Sequence, residues 1–223
     1  DAGFGAQKAG DILLSAFVAM GKYVYVEPMI PAEISPPARS KAALSGIIIR
    51  LAEFDVTNIG NDTDVIIASH EVVLDRRLED NEHNSKCVIL LDMGDQENNP
   101  DSYEMVLKKC TQQGLSVIPF HTDEVSKNVI KELGGKGQNL YYLGMLSYIY
   151  DMDEEIVKQE IIKTFGKKMK PEIMEKNLTL CHQGYQLAKE KVFFRIHVNS
   201  GKREGEKILI DGNSSLSMGL IDA

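Results

Sequence analysis

Strands alternating with helices through the first two thirds of the chain predict an α/β protein. The expected form is a layered, Rossmann-like sheet of mainly parallel strands flanked by helices, with a helical C-terminal part. Three observations carry this expectation. Ser45-Gly46-Ile47-Ile48-Ile49-Arg50-Leu51, Asp64-Val65-Ile66-Ile67-Ala68, Cys87-Val88-Ile89-Leu90-Leu91-Asp92 and Leu115-Ser116-Val117-Ile118-Pro119-Phe120 are nearly continuous apolar runs. Such runs mark strands covered on both faces, not strands with one wet side. Helical segments fall between them at Val72 to Leu78, Asp101 to Gln113 and Asp123 to Leu133. From Gly134 onward the pattern turns mostly helical.

The chain opens on Asp1-Ala2-Gly3-Phe4-Gly5-Ala6-Gln7-Lys8-Ala9-Gly10, which runs into the apolar helix Asp11 to Met20. Two glycines in a tight turn let a backbone approach a ligand, and the free N–H groups of a helix start attract negative charge. This is the shape of a phosphate cradle, with Lys8 where a dinucleotide fingerprint has its third glycine. The strand that should feed such a turn is missing, so residues are expected ahead of Asp1. Gly21 then stops the helix, and Lys22 to Val26 reads as a short β-branched and aromatic strand closed by Glu27. An acid about 20 residues past the glycines is what an NAD site uses for ribose hydroxyls, although acids at strand ends are common. The stretch from Pro28 to Ser40 holds four prolines and must be an exposed loop. Arg39 and Lys41 either add positive charge beside the glycine turn or are simply solvated.

Gly134-Gly135-Lys136-Gly137 follows a helix with no strand before it, so a C-capping turn is expected ahead of a phosphate cradle. Three helices come next: Asn139 to Tyr150 with Asn139 as its cap, Met152 to Phe165 with acids first and lysines last, and Pro171 to Lys191 with proline in its first turn. Val192 to Val198 has strand character, and a polar connector from Asn199 to Glu206 puts a domain boundary near residue 200. Ile208 to Leu220 reads as strand, glycine turn and helix, the opening unit of a further domain. That segment is expected to pack loosely by itself.

A net charge of −8 and a pI near 5.2 argue against a nucleic-acid partner, which would need clustered Lys and Arg. The run Lys167-Lys168-Met169-Lys170 reads as charge at a helix C-terminus. No apolar run of about 18 residues is present, so no membrane span is expected. Cys87, Cys110 and Cys181 are odd in number and widely spaced, which suits a reducing cytoplasm. With no CxxC pair, the chain is expected to hold neither an iron–sulfur cluster nor zinc.

No catalytic set emerges. His70, His83, His121, His182 and His197 are scattered; His121 follows a strand end and is the best placed, with a structural role the more common outcome. Cys181 and His182 point in different directions on their helix, and Asp153-Glu154-Glu155 belongs to a helix start.

Laid out in this way, Gly3-Phe4-Gly5-Ala6-Gln7, the Pro31-Ala32-Glu33 and Arg39 loop, and Asn139-Leu140-Tyr141-Tyr142-Leu143-Gly144-Met145-Leu146 resemble the gamma-type domain of 2-oxoacid:ferredoxin oxidoreductases. The resemblance covers residues 1–191, with 192–207 as linker. Asp211-Gly212-Asn213 with Leu216, Met218 and Gly219 is similar to the opening of the alpha, thiamine pyrimidine-binding part, so 208–223 is expected to start a following domain. That order resembles the 2-oxoglutarate type. Where the family's loop reads Gly-x-Gly-Gly-Gln-Gly, Ala6 and Lys8 stand for two glycines, and a longer proline-rich segment replaces its Arg-Gly-Gly.

The resemblance implies one component of a complex that oxidatively decarboxylates a 2-oxoacid with coenzyme A, giving acyl-CoA and reduced ferredoxin. It implies that this chain serves assembly or coenzyme A positioning, with no catalytic or metal-binding residue of its own. Gly3, Gly5, Gln7, Lys8, Glu33 and Arg39 are the candidate ligand-binding residues, Lys8 and Arg39 sharing one crevice. Thiamine diphosphate and iron–sulfur clusters belong to partner domains or subunits. Two other readings stand beside this one: a free-standing NAD(P)-binding oxidoreductase using Gly3, Gly5 and Glu27, and a ligand-free adapter.

Overall fold

The computed structural model describes residues 5–31, 39–41, 44–81, 83–166, 169–199 and 210–222. Helix α1 (Ala6–Ala19) starts at Gly5, whose φ of 85° is left-handed. Its Ile12, Leu13, Ala16 and Phe17 recur at helical spacing and are buried. The chain then forms an antiparallel pair, β1 (Tyr23–Met29) with β2 (Gly46–Ala52), in register from Tyr23 opposite Ala52 to Met29 opposite Gly46.

This antiparallel pair stands outside the parallel sheet that the sequence leads one to expect. Glu27 does not close its strand but lies within it, opposite Ile48 and exposed. Pro28 lacks an N–H and is tolerated because β1 is hydrogen-bonded to β2 alone in a two-stranded sheet.

The second sheet is parallel, in the order β3 (Val65–Ala68), β4 (Val88–Asp92), β5 (Ser116–Phe120). Helices α2 (Glu71–Asp80) and α3 (Pro100–Gln112) are the crossovers. Successive side chains of a strand point to opposite faces, and β4 shows the result. Ile89 and Leu91 join Leu74, Leu78, Tyr103 and Val106 in one core, whereas Leu90 faces Phe120, Tyr141, Met145 and Ala188 on the other side.

That other side is covered by α5 (Gln138–Ile149) and α7 (Pro171–Lys191), reached through α4 (Glu124–Glu132) and α6 (Glu154–Phe165). Asp123 caps α4 through the Ser126 N–H at 2.9 Å, and Asp153 caps α6 through that of Glu155 at 2.8 Å. The glycine cluster is the expected capping turn: Gly134 and Gly135 both have positive φ, and the Gly135 N–H donates to the Ile130 carbonyl at 2.9 Å. Helices α5 and α7 cross backbone against backbone at Gly144 and Gly184. A Cβ on Gly144 would lie 1.8 Å from the Cys181 carbonyl oxygen, and one on Gly184 equally close to that of Tyr141.

A third core joins α1, α5 and α6 and takes in Val24, Ile49 and Leu51 of the hairpin. Helix α5 therefore touches both halves of the fold.

Residues 192–199 are not the expected strand. They lie irregularly along α5 and α7: the Ile196 N–H reaches the Ile149 carbonyl at 2.7 Å, Lys22 Nζ donates to the Val198 carbonyl, and the Arg195 guanidinium sits 4.3 Å from the Tyr148 ring centre. Helix α8 (Gly212–Asp222) is exposed along its described length, Leu216, Leu220 and Ile221 included. Among the described residues no helix is long and apolar enough to cross a membrane.

Candidate functional site at the sheet edge

In a parallel sheet all strands finish on the same edge, and here that edge collects charge. His70 and Glu71 follow β3, Asp92 ends β4 with Asp95 just beyond, and Thr122 and Asp123 follow β5. Asp92 is only 2% exposed. Its Oδ1 accepts the Gly94 N–H at 2.8 Å, and its Oδ2 accepts from the Tyr142 hydroxyl at 2.6 Å and Gln138 Nε2 at 3.0 Å.

Burial and then the Asp92 charge hold the Tyr142 phenol well above its ordinary range. It stays a proton donor. With its oxygens engaged, Asp92 is built to fix α5 against β4, not to abstract protons. From the sequence alone Asp92 is only the end of a strand. The available signal was a carboxylate directly after four apolar residues, at the edge where parallel strands place functional groups.

The proline-rich loop returns to this edge through Arg39. Its backbone is left-handed, with φ 57°, and its guanidinium donates to both Glu71 oxygens at 2.5 and 2.7 Å and to Asp95. Glu71 is 1% exposed, so this fork neutralises a charge that water cannot reach. Lys41 pairs similarly, with Asp75 at 3.0 Å and with Glu79.

The glycine turn meets a second helix start. Gly5 opens α1 and Gly137, with φ 98°, opens α5; neither end has a side-chain cap or an acid in its first turn. The two ends touch, because Asn139 Nδ2 donates to the Gly5 carbonyl at 3.1 Å. Asn139 is thus not the cap of its own helix, as expected, but the tie between two helix N-termini. Gln7 Nε2 anchors the same end to the Met29 carbonyl at 3.2 Å. Lys8 is half exposed and meets Asp11 at 3.5 Å.

Of the six candidate ligand-binding residues, Gly5, Gln7 and Lys8 come together on α1, and Arg39 sits on the acidic shelf between β3 and β4. Gly3 and Glu33 lie outside the described residues, as do Lys167 and Lys168. His121 is exposed beyond β5, and His182 pairs with Glu154 at 3.0 Å. The antiparallel turn after β1 differs from the parallel β-α-β unit of a dinucleotide site.

The thiols do not suit a cluster. The chain has three cysteines where a four-iron cluster takes four, all are buried and free, and Cys181 lies in a different core from Cys87 and Cys110. Burial pushes the Cys87 thiol up to about 11 and Cys181 to about 12. Among the described residues no group of three His, Cys, Asp or Glu is placed to hold a metal.

Comparison with known proteins agrees with this architecture. The chain is 24% identical to the 2-oxoglutarate oxidoreductase subunit KorA of Mycobacterium tuberculosis (strain ATCC 25618 / H37Rv) over 100% of its own length and 36% of that protein's, so it spans about a third of that relative. Its fold matches the 2-oxoglutarate:ferredoxin oxidoreductase of Magnetococcus marinus, solved with 2-oxoglutarate, coenzyme A and succinyl-CoA bound. The TM-score is 0.73 at 23% identity, over 99% of this chain and 35% of that one. It also matches the gamma subunit of a keto/oxoacid ferredoxin oxidoreductase from Geobacter sulfurreducens PCA, with a TM-score of 0.55 at 14% identity over 85% of this chain and 93% of that one. The family model for pyruvate ferredoxin/flavodoxin oxidoreductase matches residues 1–187, and the chain belongs to that family.

Proposed function

We propose that residues 1–191 are the gamma-type domain of a 2-oxoacid:ferredoxin oxidoreductase of the 2-oxoglutarate type, with 192–207 as linker and 208–223 opening the pyrimidine-binding domain. In this reading the domain holds the phosphates of coenzyme A and serves assembly, in the cytoplasm, with ferredoxin or a similar acceptor reached through the complex. The observation that carries it is the pair of uncapped helix N-termini, α1 and α5, tied by Asn139 and Gly5 with Lys8 beside them. Two helix N-termini with no acid in either first turn favour an anion, and N–H groups at such ends suit phosphate oxygens; the buried Asp92, bonded to Gln138 at the start of α5, offsets part of the second.

Coenzyme A would bring the acyl-accepting thiol, while thiamine diphosphate and iron–sulfur chemistry belong to partner subunits or domains. Gln7 and Asn139 fix the two helix ends, and Lys8 adds a mobile charge. Arg39 is held by Glu71 and Asp95, so its contribution to an anion site has to compete with two carboxylates.

The test is calorimetry of coenzyme A against the assembled enzyme. Lys8→Ala is expected to weaken binding several-fold, the order of one partly exposed ion pair. Arg39→Ala is the companion variant, read together with a melting curve because it strands Glu71. Unchanged affinity in both variants would remove the anion site. In a second assay the purified chain, given 2-oxoglutarate, coenzyme A, thiamine diphosphate and a viologen dye, is expected to turn nothing over; sustained dye reduction would contradict the division of labour.

A further inference from the structure

The residues that follow α7 form a strap between the two halves of the fold. Residues 192–199 alternate in burial, with Phe194, Ile196 and Val198 partly covered and Phe193, Arg195 and His197 exposed. Phe194 and Ile196 pack on the core beneath α5 and α7, and the Ile196 N–H donates at 2.7 Å to the carbonyl of Ile149, the last residue of α5. Arg195 pins this half of the strap. Its guanidinium stacks on Tyr148 and donates to the Tyr185 hydroxyl at 3.0 Å and to Asp151 Oδ1, while His197 Nε2 lies 3.2 Å from Asp151 Oδ2. The far half reaches the first helix and the hairpin. Lys22, just past α1, donates to the Val198 carbonyl, and Asn199 Nδ2 donates at 2.8 Å to Glu53, the residue after β2.

The strap thus crosses the C-terminal ends of α1 and α5, the two helices whose N-termini meet where Asn139 donates to the Gly5 carbonyl. Helix α1 has 14 residues, so the strap and the paired N-termini are about 20 Å apart. Helix α5 is fixed to the parallel sheet through Tyr142 and to α7 at Gly144. Helix α1 belongs to the hairpin half, joined to α5 by Asn139 at one end and by the edge-to-face rings of Phe17 and Tyr150, 5.7 Å apart, at the other. Its setting against α5 therefore depends on what holds the halves together at the Phe17 end, and the strap spans that end. The attraction of a helix N-terminus for an anion fades within one turn, so two such ends act on one anion only while their helices stay in step.

We propose that the strap is the tie that keeps the N-termini of α1 and α5 aligned, with Arg195 as its positioning residue, so that releasing it at one end of the helices loosens the anion site at the other. This rests on the anion reading of the paired ends given above. Strap docked and strap released are the two states, and an anion that binds the aligned ends favours the docked one. By reciprocity, a pull that frees residues 192–199 lowers anion affinity. The coupling is carried by two helices as rigid elements.

The experiment follows the backbone amide signal of Gly5 and the side-chain amide signal of Asn139 by nuclear magnetic resonance in the nitrogen-labelled 223-residue chain. Arg195→Ala is expected to displace both, although the substitution is about 20 Å away and beyond any direct effect. Arg195→Lys keeps a charge for Asp151 without the planar fork, and should displace them less and in the same direction. Asp151→Asn removes the charge while keeping a residue that tolerates the left-handed φ of 48°, and should act as Arg195→Ala does. Cys110→Ala, a change in the core on the other face of the parallel sheet, is the control and should leave both signals in place. In the assembled enzyme Arg195→Ala is expected to weaken coenzyme A about fivefold, the low end of measured couplings between sites. Should circular dichroism show Arg195→Ala unfolded, Asp151→Asn decides. Unmoved Gly5 and Asn139 signals, equal displacement by Cys110→Ala, no rescue by Arg195→Lys, or parental coenzyme A affinity in the variant would each overturn the proposal. A parent enzyme that binds no coenzyme A would instead remove the anion reading, and the amide signals alone would then decide the tie.

Discussion

Replacing Gly184 by alanine tests whether α5 and α7 meet as described. The added Cβ falls 1.8 Å from the Tyr141 carbonyl oxygen and 2.7 Å from its carbon, against a limit of 3.0 Å that real Cβ atoms respect. Relief to that limit needs a movement of at least 3.0 − 1.8 = 1.2 Å. Both partners of the clash are helix backbone, so no rotamer change supplies it; the helices themselves must part. A gap of 0.5–1 Å already forfeits about a quarter to a half of each dispersion contact along the seam. That seam includes Tyr141, Met145, Leu180 and Ala188, all fully or almost fully buried.

Alanine returns about 1 kcal/mol of helix propensity. Overpacking of this kind costs about 1–3 kcal/mol where side chains can yield and more where backbone is struck, so the expected net loss is roughly 3–5 kcal/mol. In a chain of this size that is a fall of about 6–20 °C in melting temperature. Thermal and urea unfolding followed at 222 nm give the number. Gly219→Ala is the control, since nothing lies within 4 Å of its added Cβ and it also sits in a helix; there only the propensity gain of up to about 1 kcal/mol should appear. Gly144→Ala opens the same seam, so the double variant should fall short of the sum of the singles. A Gly184→Ala protein as stable as its parent would refute the close crossing.

Further expectations follow from the sheet edge and the buried groups. Asp92→Asn turns one acceptor into a donor facing Tyr142 and Gln138, and should cost about 2–4 kcal/mol by urea unfolding, more than Tyr142→Phe; the reverse order would show that Asp92 is not the hub. His70 is pushed down to about 4, chiefly by burial, with the charges of the chain's amino terminus and of Arg39 acting the same way and Glu71 and Asp95 opposing. The folded form therefore binds fewer protons than the unfolded one, and stability should fall as pH drops from about 6.5 to 4, by up to 1.4 kcal/mol per unit; His70→Gln should flatten that limb, and an unchanged limb would place the titration elsewhere. The three thiols should resist a disulfide reagent at pH 8 until denaturant is added, because burial keeps them protonated; rapid modification of any one in the native chain would contradict its placement.

Local pattern sufficed where an element's reason is local. Proline near the start and lysines near the end bounded α7 at 171–191, and unbroken β-branched runs marked β3, β4 and β5. It failed where a partner far along the chain decides. Nothing near Tyr23 says that Gly46–Ala52 returns beside it, and the alternation in 192–198 suits a strand as well as a strap whose Ile196 binds the end of α5. At the site, Gly5 and Lys8 were visible as residues. The second helix end was not, because reading Asn139 as a cap obeys local propensity while the fold assigns its amide to Gly5. By helix propensity alone Gly144 and Gly184 are unfavourable, and only the crossing of α5 and α7 gives a reason for them.

The three ties of helix α5 also have a mechanical side. It is bound to α1 through Asn139, to β4 through Tyr142 and to α7 at Gly144, so it cannot slide along any one of these neighbours without loosening the other two. Its amides should therefore exchange with solvent only in openings that free both halves of the fold at once.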